Sequence, residues 1–321
     1  MNERISRLRN ESVNAPATLS IERALIETSF YKQNEGKYSI PMMRAMNFME
    51  ICNKKYIYIG DDELIVGERG EKPKSVSTFP ELTCHSVEDL KVLNSRDQQR
   101  YLISDEDIET YSREVIPYWT GRSQRDRIFS RVPDEWKDAY EAGLFTEFME
   151  QRAPGHTCLD GKIYKKGMLD FKNEIEESIS KLDYFNDPEA IDKEEQLRAM
   201  SLSCDALIRL GERHAERAEE IASHEENPKR VKELLRIAEV CRRVPAHAPR
   251  NFMEAIQMYW FVHLGVITEL NGWDAFNPGH FDQHLAPFYE EDLKAGRLTR
   301  EEAKELISCF WIKVTNQPAP P

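Results

Sequence analysis

The most constraining feature of the sequence is an apolar run near its C-terminal end. Residues 255–267 contain only two strongly polar side chains, Gln257 and His263. A helix that is apolar on all sides is stable only when other elements cover it, and this run is shorter than the roughly 20 residues needed to cross a bilayer. The sequence therefore predicts a buried helix over 252–267 and no membrane partner.

Most of the remaining chain has helical patterning. Residues 169–242 carry charges of alternating sign, with breaks at 186–188 and 227–228, which is typical of solvent-facing helices. Thr299 and Glu302 have the spacing of a capping box and predict the start of a final helix. Short β-rich runs on either side of a turn at 60–63 predict a hairpin over 56–66. The predicted fold class of this segment is predominantly α-helical with a short β-hairpin.

Composition excludes several classes of protein. The chain has 44 Lys and Arg against 57 Asp and Glu, a net charge of −13, which argues against a nucleic-acid partner. Its 40% hydrophobic content is too high for a disordered chain. The first twelve residues lack the apolar core of a signal peptide, so we expect a cytoplasmic protein. The six cysteines form no CxxC pair and are expected to be buried, unreactive thiols.

Common catalytic motifs are missing from the sequence. It contains no GxGxxG, phosphate-binding loop, GxSxG or HExxH pattern. His280 and His284 have the i, i+4 spacing of two metal ligands, but no third ligand lies close in sequence. Ordinary helix-surface or hydrogen-bonded histidines are the favoured interpretation, and no metal is predicted.

Two segments shaped by Gly and Pro carry isolated titratable groups next to aromatic residues. His156 follows Arg-Ala-Pro-Gly, and Asp274 follows Gly-Trp. Loops of this kind often hold binding groups, and an aromatic wall with a few polar groups is typical of a small-molecule pocket. From composition alone, turn capping by Asp274 and backbone hydrogen bonding by His156 are the favoured roles.

The same segments resemble the glycyl radical enzymes of the pyruvate formate-lyase superfamily. The resemblance covers about residues 4–321. The sequence is most similar to the branch that dehydrates hydroxyproline, and the isethionate sulfite-lyase and diol dehydratase branches are more distant. It is carried by ELIVGE (63–68), EFMEQRAPGHT (147–157), VPAH (244–247), the apolar run at 255–263, TELNGWDAF (268–276) and NQPAPP (316–321).

The resemblance implies an α/β fold, a ten-stranded barrel-like core wrapped by helices. Residues 1–321 would form the N-terminal part of that single domain, with the radical cysteine and glycine outside this chain. In the family, an activating enzyme that uses S-adenosylmethionine and an iron–sulfur cluster installs a glycyl radical, which oxidises a cysteine to a thiyl. No cofactor is then bound directly. The implied partners are the activating enzyme, a hydroxyproline-like small molecule and a second copy in a homodimer.

By resemblance, three side chains contact the substrate trans-4-hydroxy-L-proline. His156 would hydrogen-bond the leaving hydroxyl, Asp274 would hold the amine and Phe148 would pack on the ring, giving a pyrroline-5-carboxylate. The thiyl role is not transferred to Cys158 or Cys309. These 321 residues alone are expected to be inactive and to expose apolar helix faces. Another lyase of the family, or a non-catalytic helical binding protein derived from this fold, is the alternative.

Overall fold

The apolar run forms the central helix of the fold. The structure is a computed structural model, and it describes residues 2–145, 159–270 and 277–320. Helix α12 (Phe252–Glu269) contains the run, and all its residues from Phe252 to Gly265 are buried. Four other helices pack against it: α10 (Ala190–His224), α11 (Pro228–Arg243), α13 (Phe281–Lys294) and α14 (Arg300–Thr315). The prediction of a buried helix over 252–267 is confirmed.

Helices make up most of the described chain. The final helix begins with the predicted capping box, in which Thr299 and Glu302 each bond the other's backbone amide. A 3-10 helix spans Asp160–Tyr164. The other helices of the described ranges are Glu3–Asn14 (α1), Glu22–Asn34 (α2), Ile40–Lys54 (α3), Val87–Ser95 (α4), Asp105–Glu114 (α5), Ile116–Trp119 (α6), Gln124–Phe129 (α7), Asp134–Glu141 (α8), Met168–Ser180 (α9), Ala190–His224 (α10), Pro228–Arg243 (α11), Phe281–Lys294 (α13) and Arg300–Thr315 (α14).

Helix α10 is the longest of the described helices. Its 35 residues pack on α3, α9 and α11. The buried face is rich in small residues, which let the neighbouring helices approach closely: Ala199, Ala206, Gly211, Ala215, Ala218 and Ala222. The outer face carries ion pairs at helical spacing, such as Arg198 with Glu194. The predicted solvent-facing charged helix is confirmed.

The fold class is confirmed, but the strand pair lies elsewhere than predicted. Strand β1 (Thr18–Ser20) pairs in parallel with β2 (Ser75–Ser77), and Leu19 lies opposite Val76. Residues 56–66 form an extended segment with a turn at Asp61–Asp62 and contain no strand. The predicted hairpin at 56–66 is therefore replaced by a parallel pair between more distant segments.

Helix side chains bond the backbone of the extended segment that was predicted to be a hairpin. Gln257 of α12 bonds both the N–H and the C=O of Val66, at 2.9 and 2.8 Å. Trp260 donates its indole N–H to the carbonyl of Gly67 at 2.8 Å. Because buried backbone groups need hydrogen-bond partners, these side chains stabilise an extended segment without strand pairing. None of the described helices is long and apolar enough to span a membrane.

Candidate functional site

The three residues predicted to contact substrate, Phe148, His156 and Asp274, lie outside the described residues, as does Cys158. The structure does describe the residues that directly adjoin the two segments carrying His156 and Asp274. Leu159, directly after the first of these segments, and Leu270, directly before the second, line one cleft. This cleft is therefore the candidate functional site.

The candidate cleft has a volume of about 760 Å³ and lies between α3, α9, α10 and α12. Its walls are largely apolar, with side chains that include Phe48, Met168, Phe171, Leu207, Val262 and Val266. Gly265 of α12 lies in the wall, where an added Cβ would lie 2.3 Å from Cδ2 of Leu207. An apolar cleft of this size holds a small molecule and keeps water away from it.

An ion pair between Arg44 and Glu269 lies among the charged groups that line the cleft. Arg44 of α3 donates its Nε–H to Oε1 of Glu269, in the last turn of α12, at 2.9 Å. Cys204 also lines the cleft, but burial and the nearby Asp205 raise the pKa of its thiol to about 11. Cys204 therefore stays protonated at neutral pH and is not an activated nucleophile.

Burial also makes the other described cysteines unreactive. Burial raises the pKa of each thiol, to about 12 at Cys52 and Cys309 and to about 11 at Cys84. The pKa of Cys241 is also raised by burial. The prediction of mostly buried, unreactive thiols is confirmed for these residues.

A second cleft of about 700 Å³ shares Arg44 and Glu269 with the first. Among the described residues, its lining includes five arginines (Arg23, Arg44, Arg122, Arg127 and Arg131) and three glutamates (Glu27, Glu81 and Glu269), so it carries a net positive charge. Several arginines around one cleft raise the local concentration of anions. The Arg44–Glu269 pair thus lies between an apolar cleft and a basic one.

Arg23 of α2 is the most extensively bonded of these arginines. Its guanidinium donates to Oε2 of Glu27 at 2.8 Å and to both carboxylate oxygens of Glu81 at 2.8 and 3.2 Å. It also lies 4.1 Å from the centre of the Phe79 ring. Its Nε–H donates to the carbonyl of Thr268 in α12 at 2.7 Å. Arg23 therefore ties helix α2 and the segment 79–81 to the end of α12.

The ELIVGE segment holds a buried charge cluster on the other side of α12. Lys313 of α14 lies between the carboxylates of Glu63 and Glu68, and donates to Oε1 of Glu68 at 2.8 Å. Gln317 donates to the other oxygen of Glu68 at 2.5 Å. We call these four residues the Lys313 cluster. None of its four residues lines either cleft, and its ion pairs fix the ELIVGE segment to α14.

The electrostatics of the Lys313 cluster follow from burial. Burial alone would lower the pKa of Lys313, but Glu63 and Glu68 raise it above its ordinary value. Burial raises the pKa of Glu68, and Lys313 partly opposes this. Sequence spacing did not indicate the cluster, because Lys313 is 250 residues from Glu63.

The histidine pair singled out in the sequence does not form a metal site in the described chain. His284 stacks on the Tyr164 ring, with centroids 5.1 Å apart, and its Nε2 lies 3.1 Å from Oδ1 of Asp160. His280 precedes the first residue of α13 and is exposed. Within residues 2–145, 159–270 and 277–320, no group of three metal-ligating side chains comes together. The geometry supports the interpretation of ordinary hydrogen-bonded histidines.

Comparison with known proteins identifies close relatives. The chain is 50% identical over 319 residues to trans-4-hydroxy-L-proline dehydratase of Clostridioides difficile, covering 99% of this chain and 40% of that protein. It is 31% identical over 323 residues to isethionate sulfite-lyase of Nitratidesulfovibrio vulgaris, covering 97% of this chain and 38% of that protein. The chain thus spans about 40% of the length of these curated relatives.

A solved structure shares the fold closely. The crystal structure of the Clostridioides difficile hydroxyproline dehydratase, with trans-4-hydroxy-L-proline bound, matches with a TM-score of 0.96 over all of this chain and 41% of that one. The model of the pyruvate formate lyase-like family matches residues 1–321. The resemblance inferred from the sequence segments is confirmed, and the chain belongs to the pyruvate formate lyase-like family.

Proposed function

We propose that this chain is the N-terminal part of a glycyl radical dehydratase that removes water from trans-4-hydroxy-L-proline. The observation that carries the proposal is 50% identity over 99% of the chain to an enzyme named for that reaction. The solved relative with the same backbone holds this molecule as its substrate. The radical-bearing cysteine and glycine would belong to polypeptide outside these 321 residues.

The proposed substrate contacts follow from the chemistry of the reaction. Hydroxide is a poor leaving group, so His156 would donate a proton or hydrogen bond to the departing oxygen. Asp274 would pair with the secondary ammonium, because a charge-assisted hydrogen bond both holds and orients it. Phe148 would pack against the ring. The product would be a pyrroline-5-carboxylate plus water.

The apolar cleft supports this assignment, although Phe148, His156 and Asp274 lie outside the described residues. Leu159 and Leu270, which flank the predicted segments in sequence, line the same apolar cleft. An apolar wall excludes water from a radical intermediate. The neighbouring basic cleft would favour approach of a substrate that carries a carboxylate.

The test is turnover by the activated enzyme that contains this chain, with hydroxyproline, isethionate, glycerol and propane-1,2-diol as substrates. We expect turnover of hydroxyproline and loss of about 100-fold or more in kcat/KM for His156→Ala and for Asp274→Ala. His280→Ala and Asp282→Asn are matched controls at exposed positions of the described chain and should keep full activity.

The outcomes separate the alternatives. Near-normal turnover in either variant would remove that residue from the site. Turnover of isethionate or a diol in place of hydroxyproline would assign the chain to another lyase of the family. The intact mass of the native protein tests whether this chain is part of a longer polypeptide. A mass of 37.5 kDa, together with hydroxyproline binding and no turnover, would favour the non-catalytic alternative.

A further inference from the structure

The arginines of the second cleft, the basic one, are not equally compensated by carboxylates. Residues of α2, α3 and α7 line this cleft, and its volume of about 700 Å³ leaves room for a small organic molecule. Two of its arginines pair with the carboxylates of the same lining: Arg23 with Glu27 and Glu81, and Arg44 with Glu269. These two arginines therefore engage all three glutamates of the lining.

The other three arginines carry the surplus charge of the basic cleft. Arg122 has a partner outside the lining, since it bonds Oε1 of Glu35 at 2.6 Å, and its guanidinium lies 4.6 Å from the centre of the Tyr118 ring. Arg127 and Arg131 are both exposed. Neither forms an ion pair with a carboxylate in the part of the chain that the structure describes, so the uncompensated charge belongs to these two side chains.

Arg127 and Arg131 lie next to each other on one helical segment. Helix α7 ends at Phe129, but Arg131 and Val132 both donate their backbone N–H to the carbonyl of Ile128, at 2.9 and 3.2 Å, so a helical turn continues beyond it. Residues four apart in such a turn are neighbours, and two like charges at this spacing repel each other. An anion held between the two guanidinium groups would remove that repulsion.

The lining next to these two arginines is apolar. Ile128 and Val132 are half-buried, Trp119 is buried, and all three line the basic cleft. An attraction between charges is stronger beside a wall of low polarity than in open water. The whole chain carries a net charge of −13, so a cleft with a net positive lining is a local exception that favours an anionic ligand.

We propose that Arg127 and Arg131 form an anion-binding site in the basic cleft, for a small molecule that carries a carboxylate or phosphate group. The paired N–H donors of a guanidinium match the oxygens of either group. The remaining volume of the cleft would hold the rest of the molecule. This site is independent of the proposed function and assigns no role to Phe148, His156 or Asp274.

The test is isothermal titration of the protein that contains this chain with potassium phosphate and, separately, with potassium acetate at pH 7.5. The ionic strength is kept low and constant with potassium chloride, because salt screens exposed charges. Arg127→Gln and Arg131→Gln each remove one guanidinium. The matched control is Arg9→Gln: Arg9 is also exposed, forms no ion pair within the described part of the chain, and lines neither cleft.

We expect saturable binding of at least one of the two anions to the wild-type protein. Arg127→Gln and Arg131→Gln should each raise the Kd about 10-fold or more, because hydrogen bonds between charged groups are the strong ones. Arg127→Lys should raise it less, since the charge remains while the planar fork is lost. Arg9→Gln should change the Kd by less than about 2-fold, because a charge outside the cleft is screened.

The two anions distinguish the sources of the ligand. Tighter binding of phosphate would assign a phosphorylated ligand to the site, and tighter binding of acetate would assign a carboxylic acid. Three results would overturn the inference: no saturable binding of either anion, an unchanged Kd in both Arg127→Gln and Arg131→Gln, or an equal loss in Arg9→Gln. Far-UV circular dichroism of each variant checks that a loss of binding does not come from unfolding.

Discussion

Replacing Lys313 with methionine removes the only cation of the Lys313 cluster and leaves its two carboxylates buried. Lys313, Glu63 and Glu68 are each 5% exposed or less. The substitution keeps the length of the side chain, so packing changes little. What it removes is the charge that offsets the cost of burying Glu63 and Glu68.

The expected loss of stability is large. Removing one partner of a buried ion pair typically costs about 3–5 kcal/mol, because the remaining charge is left without compensation. In this cluster two carboxylates lose their partner, so we expect at least about 4 kcal/mol at pH 7.5. The matched control is Lys193→Met: Lys193 also pairs with two acids, Asp187 and Glu189, but its side chain is about half exposed. Its loss should lower the free energy of unfolding far less, because an exposed ion pair contributes little to stability.

The pH dependence gives a second, independent check. Burial already raises the pKa of Glu68, and Lys313 opposes that rise. Without Lys313 the folded-state pKa rises further, so folding favours the protonated carboxyl. A raised folded-state pKa contributes stability at low pH that is lost as the pH rises. The deficit of Lys313→Met should therefore be largest at pH 7.5 and shrink toward pH 5.

The assay is urea unfolding followed by far-UV circular dichroism and tryptophan fluorescence at pH 7.5, 6 and 5. Equal losses for Lys313→Met and Lys193→Met would refute the reasoning, because burial would then make no difference. A deficit that grows as the pH falls would refute the assignment of its cause to the two carboxylates.

Two further predictions concern other buried positions. In Gly167→Ala, the new Cβ would lie 2.3 Å from the carbonyl oxygen of Ala246, so we expect a loss of about 3 kcal/mol in urea unfolding. Gly121→Ala, which has a positive φ but open space, should lose only about 1 kcal/mol, and equal losses would contradict the steric argument. Burial lowers the pKa of His214 to about 3, so stability should fall as the pH drops from 6.5 toward 3, by up to about 1.4 kcal/mol per pH unit from this group. His214→Gln should flatten this dependence of stability on pH, and the control His224→Gln, at an exposed position, should leave it unchanged. If His214→Gln also leaves it unchanged, the effect belongs to other groups.

Features encoded locally were predictable from the sequence. The central helix α12 follows from its apolar composition, and the start of α14 follows from the Thr299–Glu302 spacing. The family was predictable because short segments such as ELIVGE and EFMEQRAPGHT resemble it, and the family model matches residues 1–321. These inferences need no knowledge of which distant residues meet.

Features that depend on distant contacts were not predictable. The hairpin predicted over 56–66 is absent, and Gln257 and Trp260, about 190 residues later, bond the backbone of Val66 and Gly67 instead. Arg23 carried no sequence signal, since its partner Thr268 is 245 residues away. The roles of His156 and Asp274 stay predictions, because both lie outside the described residues.

The extended segment around Gly67 has a consequence for how the chain is made. At a synthesis rate of roughly 5–20 residues per second, Gln257 of α12 leaves the ribosome about 10–38 s after Val66, since the two are 191 residues apart. During that interval Leu64, Ile65 and Val66 have neither a local strand partner nor α12 to cover them. The nascent protein thus carries an exposed apolar segment for much of its synthesis. We expect that segment to be a binding site for chaperones in the cell.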